Sequence, residues 1–434
     1  MNVYSADWVL PVEGEPIRDG AVAVDGARIA AVGTTAELGA GERFESAAIV
    51  PGFVNAHTHL EYAVYAGFGD GLPFGPWIKL HIERKANIGF DEMVDIARLG
   101  AAESLRSGIT TVGDYSYAGA AAVACAELGL RAIVYLEVFG LDAREAMTAW
   151  EQTRDRAGDA FDGHVTLGVS PHAPYSCSEA VFEACARLGV PLGTHLSESP
   201  GEIEWLVRGT GDLAPLSWLY VEPRGETGVA TLDRIGLLGP DLLAAHCVQV
   251  NPDEIGLIGE RGVRVAHCPR SNALLGCGIA PIAELRAAGA VVGIGTDSPA
   301  SAPSFDMFDE IRAAVTFARA REQRTDALTG PEALELATLG GARALGLDAD
   351  VGSLVPGKLA DLAVVSLDGS PYAPVEDPAT AVALGGAPTR VLLTLIDGHV
   401  RYRRDEFDWR ALTAGATRAR SLLLQAPTAT RAPT

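Results

Sequence analysis

The chain has 434 residues, of which 48% are hydrophobic and 21% charged, and its formal net charge is -22. This length can bury a large core without disulfide bonds, and the acidity argues against nucleic acid or anionic lipid as a partner, because both need basic surfaces. No signal peptide is evident, and the most apolar stretch, 118–138, is broken by Glu127 and Arg131. We therefore expect a cytoplasmic protein without a membrane span.

The two ends of the chain share one pattern, in which short strands alternate with turns. The turn signals include Asp25-Gly26, Pro356-Gly357 and Asp397-Gly398. We predict that residues 1–50 and 346–405 pair into one small β-sandwich, followed by a C-terminal helix or tail over residues 406–434.

The middle of the chain alternates apolar runs with amphipathic stretches of helical period. The runs lie at 48–50, 110–112, 132–136, 165–169, 191–194, 242–245, 263–266 and 291–295. Helices are predicted between them, including 91–107, 178–188, 252–261, 281–288 and 306–320. Eight buried strands in this alternation predict an α/β fold, a (β/α)8 TIM barrel over residues 51–345.

Polar side chains cluster directly after these apolar runs, at the strand ends where barrels carry their chemistry. They are His57, His59, His172, His195, Glu198, His246, His267 and Asp297. We expect seven of these eight to converge on one mouth of the barrel.

Four of these residues are predicted metal ligands. His57 and His59 are two apart on an extended segment, so their side chains share one side, and His195 and Asp297 complete the set. Three imidazoles and a carboxylate suit one divalent ion, with zinc first and iron or manganese possible. Water on such an ion can have a pKa near 7, at which it becomes a nucleophile.

Three residues are predicted to carry the catalysis. Asp297 can accept a proton from water, Glu198 can deliver one to a ring nitrogen, and His246 can orient the water and stabilise developing negative charge. This set suits the hydrolysis of a C–N bond at an sp² carbon.

Several segments resemble the amidohydrolase superfamily, and most closely its branch of nucleoside and nucleobase deaminases and s-triazine hydrolases. They are PGFVNAHTH at 51–59, HLSE at 195–198, AHC at 245–247, VAHCPRSN at 265–272, GTDS at 295–298 and GSLVPGKLADL at 352–362. The resemblance implies an aminohydrolase with His57, His59, His195 and Asp297 on the ion and Glu198 and His246 in catalysis. It also suggests a homodimer or larger assembly.

The substrate of the chain is expected to be a small amino-substituted heterocycle. Trp77 and His81 resemble the covering loop of thiomethyladenosine and S-adenosylhomocysteine deaminases, but the glutamate that grips the ribose there falls on Ala86, unless Glu83 replaces it. Glu61 resembles a residue of deaminases that act on 6-amino-6-deoxyfutalosine, which is the leading specific substrate. Guanine, pterin, s-triazine and cyclic amide substrates remain open.

Further substrate contacts are predicted for His172, His267 and Arg270. His172 follows the fourth strand and either binds substrate or braces its loop. Arg270 likewise either binds an anionic group of the substrate or braces its loop. Trp77 is equally well a pocket wall or a core residue. A non-catalytic scaffold is disfavoured because the whole ligand set is present.

We expect about one divalent ion per chain. Binuclear members of the family usually bridge their ions with a lysine of the fourth strand, whereas Lys79, Lys85 and Lys358 all lie far from 166–170. Elemental analysis of the purified protein tests this expectation. Two ions per chain would contradict it.

Overall fold

The computed structural model describes residues 1–425, which form two sheets and the helices around them. The strands, in chain order, are β1 (Asn2–Val9), β2 (Ile17–Asp25), β3 (Arg28–Thr34), β4 (Glu42–Pro51), β5 (Phe53–Thr58), β6 (Ile109–Ser116), β7 (Arg131–Val138), β8 (Val165–Pro171), β9 (Leu192–Leu196), β10 (Leu242–His246), β11 (Arg264–His267), β12 (Val291–Ile294), β13 (Leu362–Ser366), β14 (Val391–Ile396) and β15 (His399–Arg403).

The helices lie mostly between the barrel strands. They are α1 (Thr35–Leu38), α2 (Phe74–Lys85), α3 (Phe90–Arg106), α4 (Ala120–Leu128), α5 (Ala143–Ala157), α6 (Glu179–Ala186), α7 (Pro200–Arg208), α8 (Gly228–Arg234), α9 (Pro252–Glu260), α10 (Pro269–Leu274), α11 (Ile282–Ala288), α12 (Met307–Glu322), α13 (Gly330–Glu335), α14 (Gly341–Leu345), α15 (Pro378–Gly385) and α16 (Arg410–Leu423). Side-chain capping hydrogen bonds define the first residues of several helices. At the start of α6, for example, the Ser178 side chain accepts a hydrogen bond from the backbone N–H of Val181. Within residues 1–425, no helix combines the length and apolarity that a membrane crossing needs.

The predicted (β/α)8 barrel is confirmed. Strands β5 to β12 pair in parallel in chain order, and an isolated bridge between Thr58 and Asp297 joins the last strand to the first. The backbone N–H of Asp297 donates to the carbonyl of His57 at 3.0 Å, and the Asn55 side chain holds Thr296 through two hydrogen bonds. The ring is therefore closed at the predicted metal ligands.

The expected first barrel strand at 48–50 is wrong, because this run belongs to β4 of the other sheet. The first barrel strand is β5, and Gly52 alone separates it from β4. A Cβ at Gly52 would lie 2.2 Å from the Thr110 side chain, so the chain passes directly from one sheet to the other at a position only glycine fits. The apolar run looked like a barrel strand because both strands are buried.

The N- and C-terminal segments pair into one continuous seven-stranded sheet of order β15-β14-β13-β4-β1-β2-β3. Only β1 and β4 run parallel; the other neighbours are antiparallel. The sheet curls, because the β14–β15 turn at Gly398 reaches the β2–β3 turn at Gly26. Its inner face encloses an apolar cluster that includes Val22, Ile49 and Leu395. Helix α16 falls within the predicted C-terminal segment, of which residues 426–434 lie outside the described part.

A charged cluster joins the barrel to this terminal sheet. Arg131, the first residue of β7, donates to Asp361 at 3.2 Å and to Asp397 at 2.6 Å, and His164 lies 3.3 Å from Asp397. The Asp361 side chain is 1% exposed, so its charge depends on Arg131 for compensation.

We expect Arg131→Met to lower the free energy of unfolding by about 2–4 kcal/mol, because it leaves a buried carboxylate without its partner. Arg324→Met is the matched control, since Arg324 and Asp326 pair at the surface with exposed side chains. Denaturant unfolding of both variants makes the comparison. Equal stability of the two would show that the cluster does not hold the sheets together.

Candidate metal and catalytic site

Four donor atoms from distant parts of the chain meet at the barrel mouth. Asp297 Oδ1 lies 3.6 Å from His57 Nε2 and 3.5 Å from His59 Nε2, and His195 Nε2 lies 3.3 Å from His59 Nε2. Donors about 2.1 Å from one ion at tetrahedral angles lie roughly 3.4 Å apart, and these three separations match that value, as ligands of one small divalent cation would.

The ring orientations of the histidines also fit a metal. His59 Nδ1 donates to the carbonyl of Tyr115 at 2.7 Å, and His195 Nδ1 donates to the carbonyl of His172 at 2.9 Å, which leaves both Nε2 atoms free as ligands. Both nitrogens of His57 are buried without a hydrogen-bond partner in the described chain. Burial lowers the pKa of His59 to about 3, so the ring is neutral, as a metal ligand must be.

Asp297 is held as a carboxylate facing the histidines. Its Oδ2 accepts from the hydroxyls of Ser271 at 2.5 Å and Ser301 at 2.9 Å, which leaves Oδ1 toward His57 and His59. Burial alone would raise the pKa of Asp297, but the close approach of His57 and of the other nearby imidazoles outweighs it and holds the pKa well below its usual range.

Backbone strain concentrates at these strand ends. Ser197, His246, Cys247 and Asp297 all adopt positive φ, between 47° and 74°. This backbone conformation is energetically unfavourable for non-glycine residues, and it persists only where the surrounding structure enforces it. The turns after β9, β10 and β12 thus aim side chains into the mouth instead of continuing the strands.

Glu198 and His246 lie side by side in the site, and both side chains can carry a proton. Glu198 lies 3.8 Å from His246 Nε2, and burial raises the pKa of Glu198 to about 7. His246 Nδ1 pairs with Asn272 Oδ1 at 2.9 Å, which directs Nε2 toward Glu198. Glu202 fixes the turn, because its carboxylate accepts from the backbone N–H groups of Ser197 and Glu198 at 3.0 and 2.8 Å.

His172 and His267 also lie in the mouth. The His172 ring centroid is 4.8 Å from that of His195, and His172 Nδ1 pairs with the Ser176 hydroxyl at 2.7 Å. His267 ends β11, is 3% exposed, and its Nδ1 has no partner in the described chain. Burial lowers the pKa of each of these two histidines to about 3, so both rings are neutral hydrogen-bonding groups.

Glu61 does not point into the mouth, contrary to the expected substrate contact. Its carboxylate accepts from the Ser116 hydroxyl at 2.5 Å and from the backbone N–H groups of Ala118, Ala120 and Ala121 at 2.9, 2.8 and 3.3 Å. These amides lie at the start of α4, whose N-cap residue is Gly119 and offers no side chain. Glu61 thus caps a helix from another part of the chain.

Arg270 is likewise occupied within the protein. Its guanidinium donates to Glu310 at 2.5 Å and to the Ser304 carbonyl at 2.6 Å, so it braces the loop after β12 against α12. The geometry favours the bracing role over the substrate contact.

Trp77 and His81 lie on α2, one layer away from the ligands. Their ring centroids are 4.5 Å apart, and Tyr62 stands between them and the metal set, 6.3 Å from His81 and 5.6 Å from His59. Glu83, the one residue considered as a replacement for the missing ribose clamp, pairs with Lys79 at 3.0 Å, and its side chain is 45% exposed. These contacts make Trp77 a packing residue of the α2 aromatic cluster.

Sequence reasoning missed Glu137 and Glu202. Glu137 lies near the end of β7, and one of its oxygens is within 4.8 Å of ring nitrogens of His172 and His195. A lone carboxylate at the end of the apolar run 131–138 was the available signal. Glu202 could not be recognised from the sequence, because its role depends on the conformation of the turn that its carboxylate binds.

Comparisons with known proteins agree with this geometry. Residues 48–411 match the model of the amidohydrolase family. A 5-methylthioadenosine/S-adenosylhomocysteine deaminase of Moorella thermoacetica is 33% identical over 92% of this chain and 93% of its own, and a 5'-deoxyadenosine deaminase of Methanothermobacter thermautotrophicus is 33% identical over 90% and 91%. The zinc-bound crystal structure of an adenosine deaminase from Xanthomonas campestris superposes with a TM-score of 0.87, at 32% identity over 97% and 98% of the two chains.

The capping role of Glu61 predicts that Glu61→Gln lowers the free energy of unfolding by about 1–3 kcal/mol, because an amide NH₂ replaces an acceptor before buried donors. Glu83→Gln, on the exposed face of α2, should leave stability unchanged. Thermal unfolding of both variants is the measurement. A Glu61→Gln protein as stable as the parent would contradict the capping role of Glu61.

Proposed function

The chain belongs to the amidohydrolase family, and on that premise we propose that it removes ammonia hydrolytically from 6-aminopurine nucleosides of the adenosine type. It is an enzyme, a hydrolase acting on C–N bonds. The observation that carries the proposal is Glu198, a buried carboxylate with a pKa of about 7 beside the metal-type donor set. A group that titrates near neutral pH can both donate and recover a proton in one cycle.

The donor set supports a divalent ion, and we propose zinc, the ion bound in the Xanthomonas campestris relative. When bound, such an ion lowers the pKa of water and polarises the carbon under attack. His57, His59, His195 and Asp297 would hold it.

The residues of the site can divide the proton transfers between them. Asp297 accepts a proton from the attacking water while Glu198 protonates the adjacent ring nitrogen, so an O–C bond forms at the amino-bearing carbon. Asp297 then passes its proton to the amino group, the C–N bond breaks, and ammonia leaves. Glu198 recovers a proton from the new hydroxyl as the product becomes the carbonyl tautomer. Burial lowers the pKa of His246, but the charges of Glu198 and Asp297 outweigh it and raise the pKa, so the ring can carry protons on both nitrogens. In that form Nδ1 donates to Asn272 and Nε2 can donate to the attacking oxygen and stabilise its negative charge.

Adenosine-type nucleosides stand ahead of 6-amino-6-deoxyfutalosine as proposed substrates. The argument for the futalosine compound depended on Glu61, whose carboxylate is used by α4. The relatives with 33% identity over at least 90% of this chain are named for 5-methylthioadenosine, S-adenosylhomocysteine and 5'-deoxyadenosine. These compounds share the 6-aminopurine ring and the ribose that carries it, and they differ in the 5' substituent.

Ammonia release by the zinc-loaded enzyme is the test. The panel holds adenosine, 5'-deoxyadenosine, thiomethyladenosine, S-adenosylhomocysteine, aminodeoxyfutalosine, adenine, guanine, pterin and melamine. We expect turnover of one or more 6-aminopurine nucleosides. Turnover of guanine, pterin or melamine alone would contradict the proposal.

The matched variants are Glu198→Gln and Glu183→Gln. The first should lower kcat by about 100- to 10,000-fold without loss of metal, because it removes the proton carrier. The second changes only an exposed pair with Arg187 and should behave as the parent enzyme. A Glu198→Gln enzyme of normal rate would exclude Glu198 from the chemistry.

A further inference from the structure

Helix α2 crosses the barrel mouth, because its two ends are held on opposite sides of the ring. Its first residue, Phe74, belongs to an apolar cluster with Trp205 of α7 and Tyr175 of the loop after β8. Its last residue, Lys85, donates at 2.6 Å to the hydroxyl of Tyr62, which follows β5. Helix α7 follows β9, and β5 and β9 are the first and fifth of the eight strands, so they stand opposite each other. Helix α2 is therefore part of the cover of the site.

One polar contact fixes α2 on the β9 side of the mouth. The backbone N–H of Gly75, in the first turn of α2, donates to Asp212 Oδ2 at 2.9 Å. The N-cap residue of α2 is Pro73, which has no side-chain acceptor, so Asp212 caps this helix from another part of the chain. Among residues 1–425, this is the one hydrogen bond that joins α2 to residues 173–221. The docking of α2 on this side therefore depends on Asp212 and on the apolar cluster.

Two glycines allow Asp212 to lie against both α2 and α7. A Cβ at Gly75 would lie 2.0 Å from the Asp212 carbonyl oxygen, and a Cβ at Gly201 would lie 2.2 Å from Asp212 Oδ1. Neither glycine has a positive φ, so it is the close approach of Asp212 that excludes a side chain at these positions. Gly201 is in the first turn of α7. Asp212 is thus packed between the first turns of the two helices.

The first turn of α7 also holds the backbone of Glu198. Gly201 is followed by Glu202, which is fully buried and whose carboxylate accepts from the backbone N–H groups of Ser197 and Glu198 at 3.0 and 2.8 Å. A short path of direct contacts therefore leads from α2 through Asp212, Gly201 and Glu202 to the turn that carries Glu198. A displacement of about 1 Å at a catalytic group can lower a rate about 100-fold, so a small shift of α7 would affect the chemistry.

We propose that Asp212 is a positioning residue that couples the docking of α2 over the mouth to the placement of Glu198. This inference rests on the proposed function for the role of Glu198 in the reaction. Asp212 lies in the segment between α7 and α8 and acts only through the first turns of α2 and α7. Coupling of this kind confines the chemistry to a mouth that is covered and shielded from bulk water.

The first experiment measures the kinetics of Asp212→Ala and Asp212→Asn on the nucleoside that the parent enzyme deaminates fastest. Alanine removes the acceptor for the Gly75 N–H, whereas asparagine retains one. We expect Asp212→Ala to lower kcat by about 10- to 100-fold at unchanged zinc content, and Asp212→Asn to stay within about threefold of the parent. Asp241→Ala, at an exposed position before β10, is the control and should resemble the parent. A normal kcat for Asp212→Ala, or a loss confined to KM, would overturn the inference.

Hydrogen exchange of the zinc-loaded protein gives a second readout, which does not depend on turnover. The amides of residues 75–79 report the docking of α2, and those of residues 197–198, bound by Glu202, report the catalytic turn. We expect Asp212→Ala to speed exchange in both segments by about tenfold or more and Asp212→Asn in neither, while α9 exchanges as in the parent. Faster exchange in 75–79 alone would show a local cap without coupling. Faster exchange in α9 as well would show a general loss of stability. Either result would overturn the inference.

The two measurements separate this inference from the proposed reaction. If no nucleoside of the panel is deaminated but Asp212→Ala speeds exchange in both segments together, the coupling is supported and only the proposed reaction fails. If nucleosides are deaminated but exchange at 197–198 is the same in Asp212→Ala and in the parent, the coupling is overturned and the reaction stands.

Discussion

Closure of the barrel between β5 and β12 is the constraint on which the site depends. The backbone hydrogen bond from Asp297 to His57 and the contacts of Asn55 with Thr296 are interactions between residues about 240 apart in the chain. They set the register between the first and last strands, and a shift by one residue would turn the ligands away from each other. The metal-type donor set is therefore a product of correct ring closure.

Within the barrel, Glu198 and Asp297 are buried to the same extent, but their pKa values shift in opposite directions. Burial raises the pKa of Glu198 to about 7, because only His246 stands near enough to oppose it. Asp297 is equally buried, but the nearby imidazoles of His57, His246 and His59 hold its pKa well below the usual range. Separating the proton affinities of two carboxyl groups in this way is what lets one site handle an acid step and a base step.

The sequence was most informative where a residue's place follows from strand geometry. His57, His195 and Asp297 follow apolar strands, and parallel strands in a barrel carry their C-terminal ends to one mouth, so their meeting could be predicted. The position of the Glu61 side chain could not be predicted in the same way, because it depends on the N-terminus of α4, which has no capping side chain of its own. The run 48–50 was assigned to the wrong sheet because burial on both faces looks alike in either sheet.

The topology of the terminal sheet has a consequence for biosynthesis. Strand β4 lies between β1, from the start of the chain, and β13, which begins at Leu362. Until the ribosome has released β13, one edge of β4 has no partner, although Gly52 already ties that strand to the first strand of the barrel. An unpaired edge is a template for wrong pairing, so the nascent chain carries an aggregation-prone strand through the synthesis of the whole barrel. Chains that stop before Leu362 would keep that edge open permanently.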